Sequence, residues 1–252
     1  MMKNHIIYIF LVFLIFGTLK QSVACPRVDN LNDFNCDGII KFVFVGDSIV
    51  YGKGDTRLGN KGGYVQRLKA KFPNTKIQSI GLIGYSSGRI LSKLKKELYS
   101  PGSNKTKRAL RNADFILLDE GRNDYWENNP ASLTARDISR TAKLLTYQVG
   151  RELERPPYIA IAYLLPTKRI FQRTFIAQVN DGLELLDRNG YNVDLAFNKL
   201  DKSLIGPDGI HPTSAGYERL TKILTKYLKS RLQMKLDKIS PPDPTPTPIQ
   251  SI

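Results

Sequence analysis

The chain has 252 residues, of which 41% are hydrophobic and 24% charged, with a net charge of +15 and only two histidines and two cysteines. These proportions describe a folded globular protein and exclude the collagen-like, disulfide-dense and disordered classes. So few His and Cys cannot build a zinc ribbon or an iron–sulfur cluster, and the positive charge admits acidic partners without defining a fold.

The N-terminus reads as an address. Met1 to His5 carry one lysine, Ile6 to Phe16 form an unbroken run of 11 apolar residues, and small residues stand at Ser22 and Ala24. A membrane-spanning helix needs roughly 20 apolar residues. Residues 1–24 are therefore expected to be a secretory signal cleaved after Ala24, giving a secreted or periplasmic protein whose mature form has no transmembrane span. Cleavage lowers the net charge to +13 and leaves His211 as the one histidine.

Residues 25–39 form an N-terminal segment. Outside the cytoplasm Cys25 and Cys36 can pair and close a short loop. The alternative is a lipid anchor at Cys25, which has the small Ala24 before it but Ser22 where a lipobox usually has Leu. The stretch Asp33-Phe34-Asn35-Cys36-Asp37-Gly38 begins like a calcium loop, yet its twelfth position is Phe44, where a bidentate Glu is required. An Asn/Asp-rich turn is expected instead.

One domain is expected over residues 40–235, followed by a Pro/Thr-rich tail at 236–252 that is extended and solvated. Apolar runs at Lys41–Val45, Lys76–Ile80, Phe115–Leu118, Tyr158–Leu165 and Tyr191–Leu195 lack polar alternation, as in strands covered on both faces. Helical periods lie between and after them: Ile138, Ala142, Leu145, Val149; Phe171, Phe175, Val179, Leu183, Leu186; and Leu220, Ile223, Leu224, Tyr227, Leu228. Such alternation predicts a parallel sheet with helices on both sides, and ligands bind such sheets at the C-terminal strand ends.

Four unusual segments fall at those ends. Gly46-Asp47-Ser48 follows the first strand and presents a serine on a tight turn into a helix, with backbone N–H groups nearby. Gly81-Leu82-Ile83-Gly84-Tyr85-Ser86 follows the second; its glycines let backbone approach a ligand without an intervening Cβ. Gly121-Arg122-Asn123-Asp124 follows the third and offers a neutral amide donor. Pro207-Asp208-Gly209-Ile210-His211-Pro212 follows the fifth, with a carboxylate spaced to hold an imidazole in one tautomer.

In this order the four blocks resemble those of the SGNH (GDSL-type) hydrolase superfamily over almost all of residues 40–230. The resemblance implies a flavodoxin-like three-layer α/β/α fold with a five-stranded parallel sheet. It implies Ser48 as nucleophile, His211 as general base and Asp208 as the group that orients it. It also implies an oxyanion hole from the N–H groups of Ser48 and Gly84 and the side-chain amide of Asn123. Two positions depart from the usual pattern: Ser79 stands where Asn is frequent, and Arg122 is larger and more charged than many residues found there.

The activity so implied is that of an exported serine esterase working through an acyl-enzyme without metal or organic cofactor, and an acylated carbohydrate, such as an O-acetyl ester, is the preferred substrate. A lipase or lysophospholipase-type carboxylesterase is the enzymatic alternative. A non-catalytic binder of acidic glycan on the same fold is the other. Lys53, Arg57, Lys61 and Arg122 lie in or beside the first and third loops and are read either as steering an acidic substrate or as solvated surface charge. Asp47, Arg57 and Arg122 are the candidate substrate contacts. Nucleic acid is not expected as a partner, because only the charge speaks for it.

Overall fold

The structure is a computed structural model and describes residues 27–28, 31–33, 35–150 and 156–232. The expected signal at 1–24, Cys25 and the tail at 236–252 lie outside the described residues. Strands β1 (Arg27–Val28) and β2 (Leu31–Asn32) form a small antiparallel pair. The main sheet contains β3 (Lys41–Gly46), β4 (Lys76–Gly81), β5 (Phe115–Asp119), β6 (Tyr158–Ala162) and β7 (Asn192–Leu195). These five are parallel and run in the order β4-β3-β5-β6-β7. The helices are α1 (Ser48–Tyr51), α2 (Gly63–Lys71), α3 (Ser87–Tyr99), α4 (Lys105–Leu110), α5 (Ala131–Gly150), α6 (Arg173–Arg188) and α7 (Ser214–Leu232).

Alternation along β3 builds both cores. Phe42 and Phe44 face the layer that holds Tyr64 of α2 and Tyr217, Leu220, Leu224 and Leu228 of α7. Val43 and Val45 face the opposite layer, with Leu94 of α3, Ile138 and Leu145 of α5 and Val179 and Leu183 of α6. A sheet covered in this way on both faces is a three-layer α/β/α sandwich, as the sequence implies.

Local differences from the sequence expectation have physical reasons. β4 is an edge strand, so Lys76, Gln78 and Ser79 are exposed and it is not covered on both faces. β6 ends at Ala162 rather than Leu165. Phe171 continues the period of α6 but precedes the helix, in a 3-10 turn at Ile170–Gln172, and is largely exposed. The expected Asn/Asp turns are present: Asp33, Asn35 and Asp37 each accept from the N–H two residues on. Asp33 accepts from the N–H groups of Asn35 (3.2 Å) and Gly38 (2.6 Å), and Asn35 from that of Asp37 (2.9 Å). Cys36 is disulfide-bonded.

Register places the site. Gly46 at the end of β3 lies opposite Gly81 of β4 and Asp119 of β5. The segments that follow these three strands therefore leave the sheet at one level. The chain moves to one side of β3 to make β4 and to the other side to make β5, so a topological switch point falls beside β3.

Gly46 is required by this close approach. A Cβ there would lie 2.0 Å from the Asp119 carbonyl oxygen and 2.6 Å from Val50 Cγ2. Neither neighbour is the free end of a flexible side chain. We expect Gly46→Ala to destabilise the fold by about 3 kcal/mol or more. Urea unfolding checks this; an unchanged midpoint would mean that β3 and β5 are not so tightly apposed.

Candidate active site

Ser48 is the first residue of α1, directly after the β3 turn. Asp47 caps this helix: its Oδ1 accepts from the Ile49 N–H at 2.8 Å. At this helical position the N–H of Ser48 has no intrahelical acceptor. Its hydroxyl is 2.8 Å from His211 Nε2, although 163 residues separate the two in sequence. His211 Nδ1 is in turn 2.5 Å from Asp208 Oδ2. Asp208 Oδ1 accepts from the N–H groups of Ile210 (2.9 Å) and His211 (3.0 Å), so the carboxylate is fixed on both oxygens.

Electrostatics favour one arrangement of the protons. Partial burial disfavours charge on Asp208, but the His211 ring and the two N–H donors outweigh it and hold the carboxyl below its usual range. Burial lowers the His211 pKa; Asp208 opposes that shift, while Lys53 and Arg122 reinforce it. The pair is thus a neutral imidazole donating Nδ1–H to a carboxylate. Nε2 is left as an acceptor for the Ser48 O–H, which is the arrangement needed to deprotonate a hydroxyl.

His211 reaches this position from the far side of the sheet. After β7 the chain returns through two 3-10 turns and a bridge between Ile205 and Pro212, with the Gly206 N–H donating to the His211 carbonyl at 2.7 Å. Buried Asp55 then ties the Ser48 side to the His211 side: it forms an ion pair with Arg67 and accepts from the Ser214 hydroxyl at 2.8 Å. The Tyr217 hydroxyl donates to the Lys53 carbonyl at 2.8 Å. Gly54, at φ +92°, lies so close that a Cβ would be 2.7 Å from the Pro212 oxygen and 3.0 Å from His211 Cβ.

The other expected donors occupy the same end of the sheet. Gly84 has φ +76° and open space where a Cβ would project, whereas a Cβ at Gly81 would meet the backbone of Tyr51 at 2.7 Å. Gly81 therefore serves packing, and Gly84 is the exposed one. Asn123 Nδ2 donates to the Tyr85 carbonyl at 3.0 Å, with a long 3.4 Å contact to Asp47 Oδ2. One amide hydrogen anchors the group to the Gly84 loop and the other is weakly engaged. Asp124 steadies that loop by accepting from the N–H (2.7 Å) and hydroxyl (2.8 Å) of Ser87.

Two candidate substrate contacts are corrected. Asp47 is 1% exposed and its carboxylate serves as the α1 cap. Arg122 is 2% exposed and its guanidinium donates to the Leu165 carbonyl, so it supports the site from beneath and meets no ligand at the surface. Arg57 is exposed and pairs with Glu218 at 2.8 Å. Lys53 and Lys61 are also exposed. Gly54 and Asp55 carry no signal in the sequence, because each acts on a segment distant from it; Asp124 and Ser214 lie within or beside the marked blocks, but their partners Ser87 and Asp55 are equally distant.

Beneath the site lies a group of buried acids. Burial pushes the Asp47 carboxyl up to about 6. Burial, and then repulsion from Asp47, push Asp119 up to about 7 against a hydrogen bond from the Tyr64 hydroxyl at 2.9 Å. Both bind protons more tightly folded than unfolded. Their stabilising contribution is therefore complete below the unfolded value of roughly 4 and is lost as pH rises through about 6 to 7. Asp119→Asn is expected to flatten the fall in urea midpoint between about pH 5 and about pH 8. A variant with the same slope as the parent would show that Asp119 stays ionised.

The chain matches the GDSL-like Lipase/Acylhydrolase family over residues 44–219. No curated protein sequence matches it significantly. Among solved structures it is similar to a member of the lipolytic protein G-D-S-L family from Veillonella parvula, at 16% identity and TM-score 0.61, covering 77% of this chain and all of that one. It is also similar to Est24, a carbohydrate acetylesterase from Sinorhizobium meliloti, at 13% identity and TM-score 0.59, covering 76% of this chain and 99% of that one. At such identities the likeness concerns the fold. The family match spans well over half of the chain and includes Ser48, Gly84, Asn123, Asp208 and His211, so this protein belongs to the GDSL-like lipase/acylhydrolase family.

Proposed function

We infer that this protein is an exported serine ester hydrolase that removes O-acyl groups, acetyl above all, from carbohydrate. The observation that carries the chemistry is the pair of contacts at His211, 2.8 Å to the Ser48 hydroxyl and 2.5 Å to Asp208. In the reaction His211 Nε2 takes the Ser48 proton as Oγ attacks the ester carbonyl. The N–H groups of Ser48 and Gly84 and the second amide hydrogen of Asn123 are assigned to the developing oxyanion. The imidazolium, stabilised by Asp208, then protonates the leaving alcohol. Water, deprotonated by the same ring, releases the acyl group as a carboxylic acid and restores Ser48.

The sugar ester is preferred because a structural neighbour is named as a carbohydrate acetylesterase and because Trp126, three residues after Asn123, is half exposed and packs on the exposed Phe171. Export rests on the signal-like first 24 residues. Among the described residues no helix is long and apolar enough to cross a membrane.

Ser48→Ala and His211→Ala should each lower kcat for p-nitrophenyl acetate by at least ~10³-fold with the fold retained by circular dichroism. Turnover close to wild type in either variant would remove the serine mechanism and leave a binding role for the site. Because burial lowers the His211 pKa and the base must be neutral to act, the acid limb of kcat/KM should fall below the ordinary histidine value of about 6.5. A limb at or above that value would contradict the assignment of His211 as the desolvated base.

A further inference from the structure

We propose that Trp126 and its aromatic neighbours form a stacking platform for a pyranose ring of the substrate's alcohol portion, at the rim between Asn123 and Asp208. The proposal rests on the esterase reading above. Asn123 and Trp126 lie three residues apart in the 3-10 helix Asn123–Glu127, and that spacing puts both side chains on one face. Tyr125 meets the indole edge-on at 5.3 Å and 86°, and Phe171 does so at 5.9 Å and 71°. Phe175 buttresses Tyr125 at 5.6 Å. These contacts fix the orientation of the indole, yet Trp126 remains 49% exposed and Phe171 56% exposed.

Arg169 joins the platform to the proton relay. Its Nε donates to the Asp208 carbonyl at 2.9 Å, and its guanidinium lies over the Trp126 ring, 5.2 Å from the centroid. A ligand on the indole is therefore beside the loop that carries Asp208 and His211, and beside the proposed oxyanion donor.

The chemistry of the patch selects the ligand. Arg169 lies over one side of the indole, and the half-exposed remainder of the Trp126 and Phe171 surface, flat and apolar with guanidinium N–H donors beside it, matches a pyranose, which has an apolar C–H face and a rim of hydroxyls. An acyl chain laid on so exposed a surface would keep about half its area in water and gain correspondingly little from burial. A sugar loses nothing by keeping its hydroxyl edge wet.

Trp126 is the only tryptophan in the chain, so its emission reports this place alone. Full-length Ser48→Ala protein is titrated with O-acetylated xylotetraose, xylotetraose and sodium octanoate. The saccharides should shift the emission saturably, and octanoate should not. With Ser48 intact, Trp126→Ala should raise KM for acetylated xylotetraose about 10-fold with little change in kcat, and Trp126→Phe should recover most of the loss. An indifferent emission, a response to octanoate alone, or a fall in kcat at constant KM would overturn the platform. If the emission responds to saccharide but the wild-type enzyme, active on p-nitrophenyl acetate, leaves the acetylated saccharide intact, the platform stands and the O-acetyl reading fails.

Discussion

The site depends on a single imidazole held between a carboxylate and a hydroxyl. Asp208 is acceptor-only once ionised, so Nδ1 of His211 must carry the hydrogen and Nε2 must face Ser48 as an acceptor. Burial lowers the pKa of the ring and so favours its neutral form, while the His211 hydrogen bond and then the two N–H groups on Asp208 Oδ1 favour the ionised carboxylate. Each part sets the state of the next. Losing any one leaves the others without a defined proton arrangement.

Much of the fold serves to bring that imidazole to Ser48. Level strand ends around β3 collect the serine turn, the Gly84 loop and Asn123 without further devices. His211 needs more, because its loop starts at the opposite edge of the sheet. Asp55 accepts from Arg67 and from Ser214 while almost fully buried. A buried carboxylate with one partner removed leaves an uncompensated charge, so the attachment is strongly constrained. Gly54 provides the steric counterpart, since only a residue without Cβ lets its loop lie against His211 and Pro212.

The fold class was legible because strand and helix periods differ and because β3 is an unbroken apolar run from Phe42 to Val45, as suits a central strand. The four blocks were legible because serine, glycine, asparagine and histidine follow strand ends. What escaped the sequence is burial. Arg122 and Asp47 are charged residues inside otherwise functional blocks, and nothing local distinguishes a charge turned toward solvent from one enclosed beneath the sheet ends. β4 carries Lys76, Gln78 and Ser79 where its neighbours are continuously apolar, and its place at the sheet edge leaves those three exposed. Trp126 carries no signal in the sequence because its partners Phe171 and Arg169 come from the β6–α6 connection, where Phe171 keeps the helical period that continues into α6.

The central claim is that Ser48 is made nucleophilic by His211. Its most direct test is phosphonylation by a fluorophosphonate at neutral pH, followed by peptide mass spectrometry of the wild-type and His211→Ala proteins. The account predicts one modification on the wild-type chain, at Ser48, and its near-complete loss when the imidazole is removed. Labelling elsewhere, or labelling of Ser48 that is indifferent to His211, would contradict it.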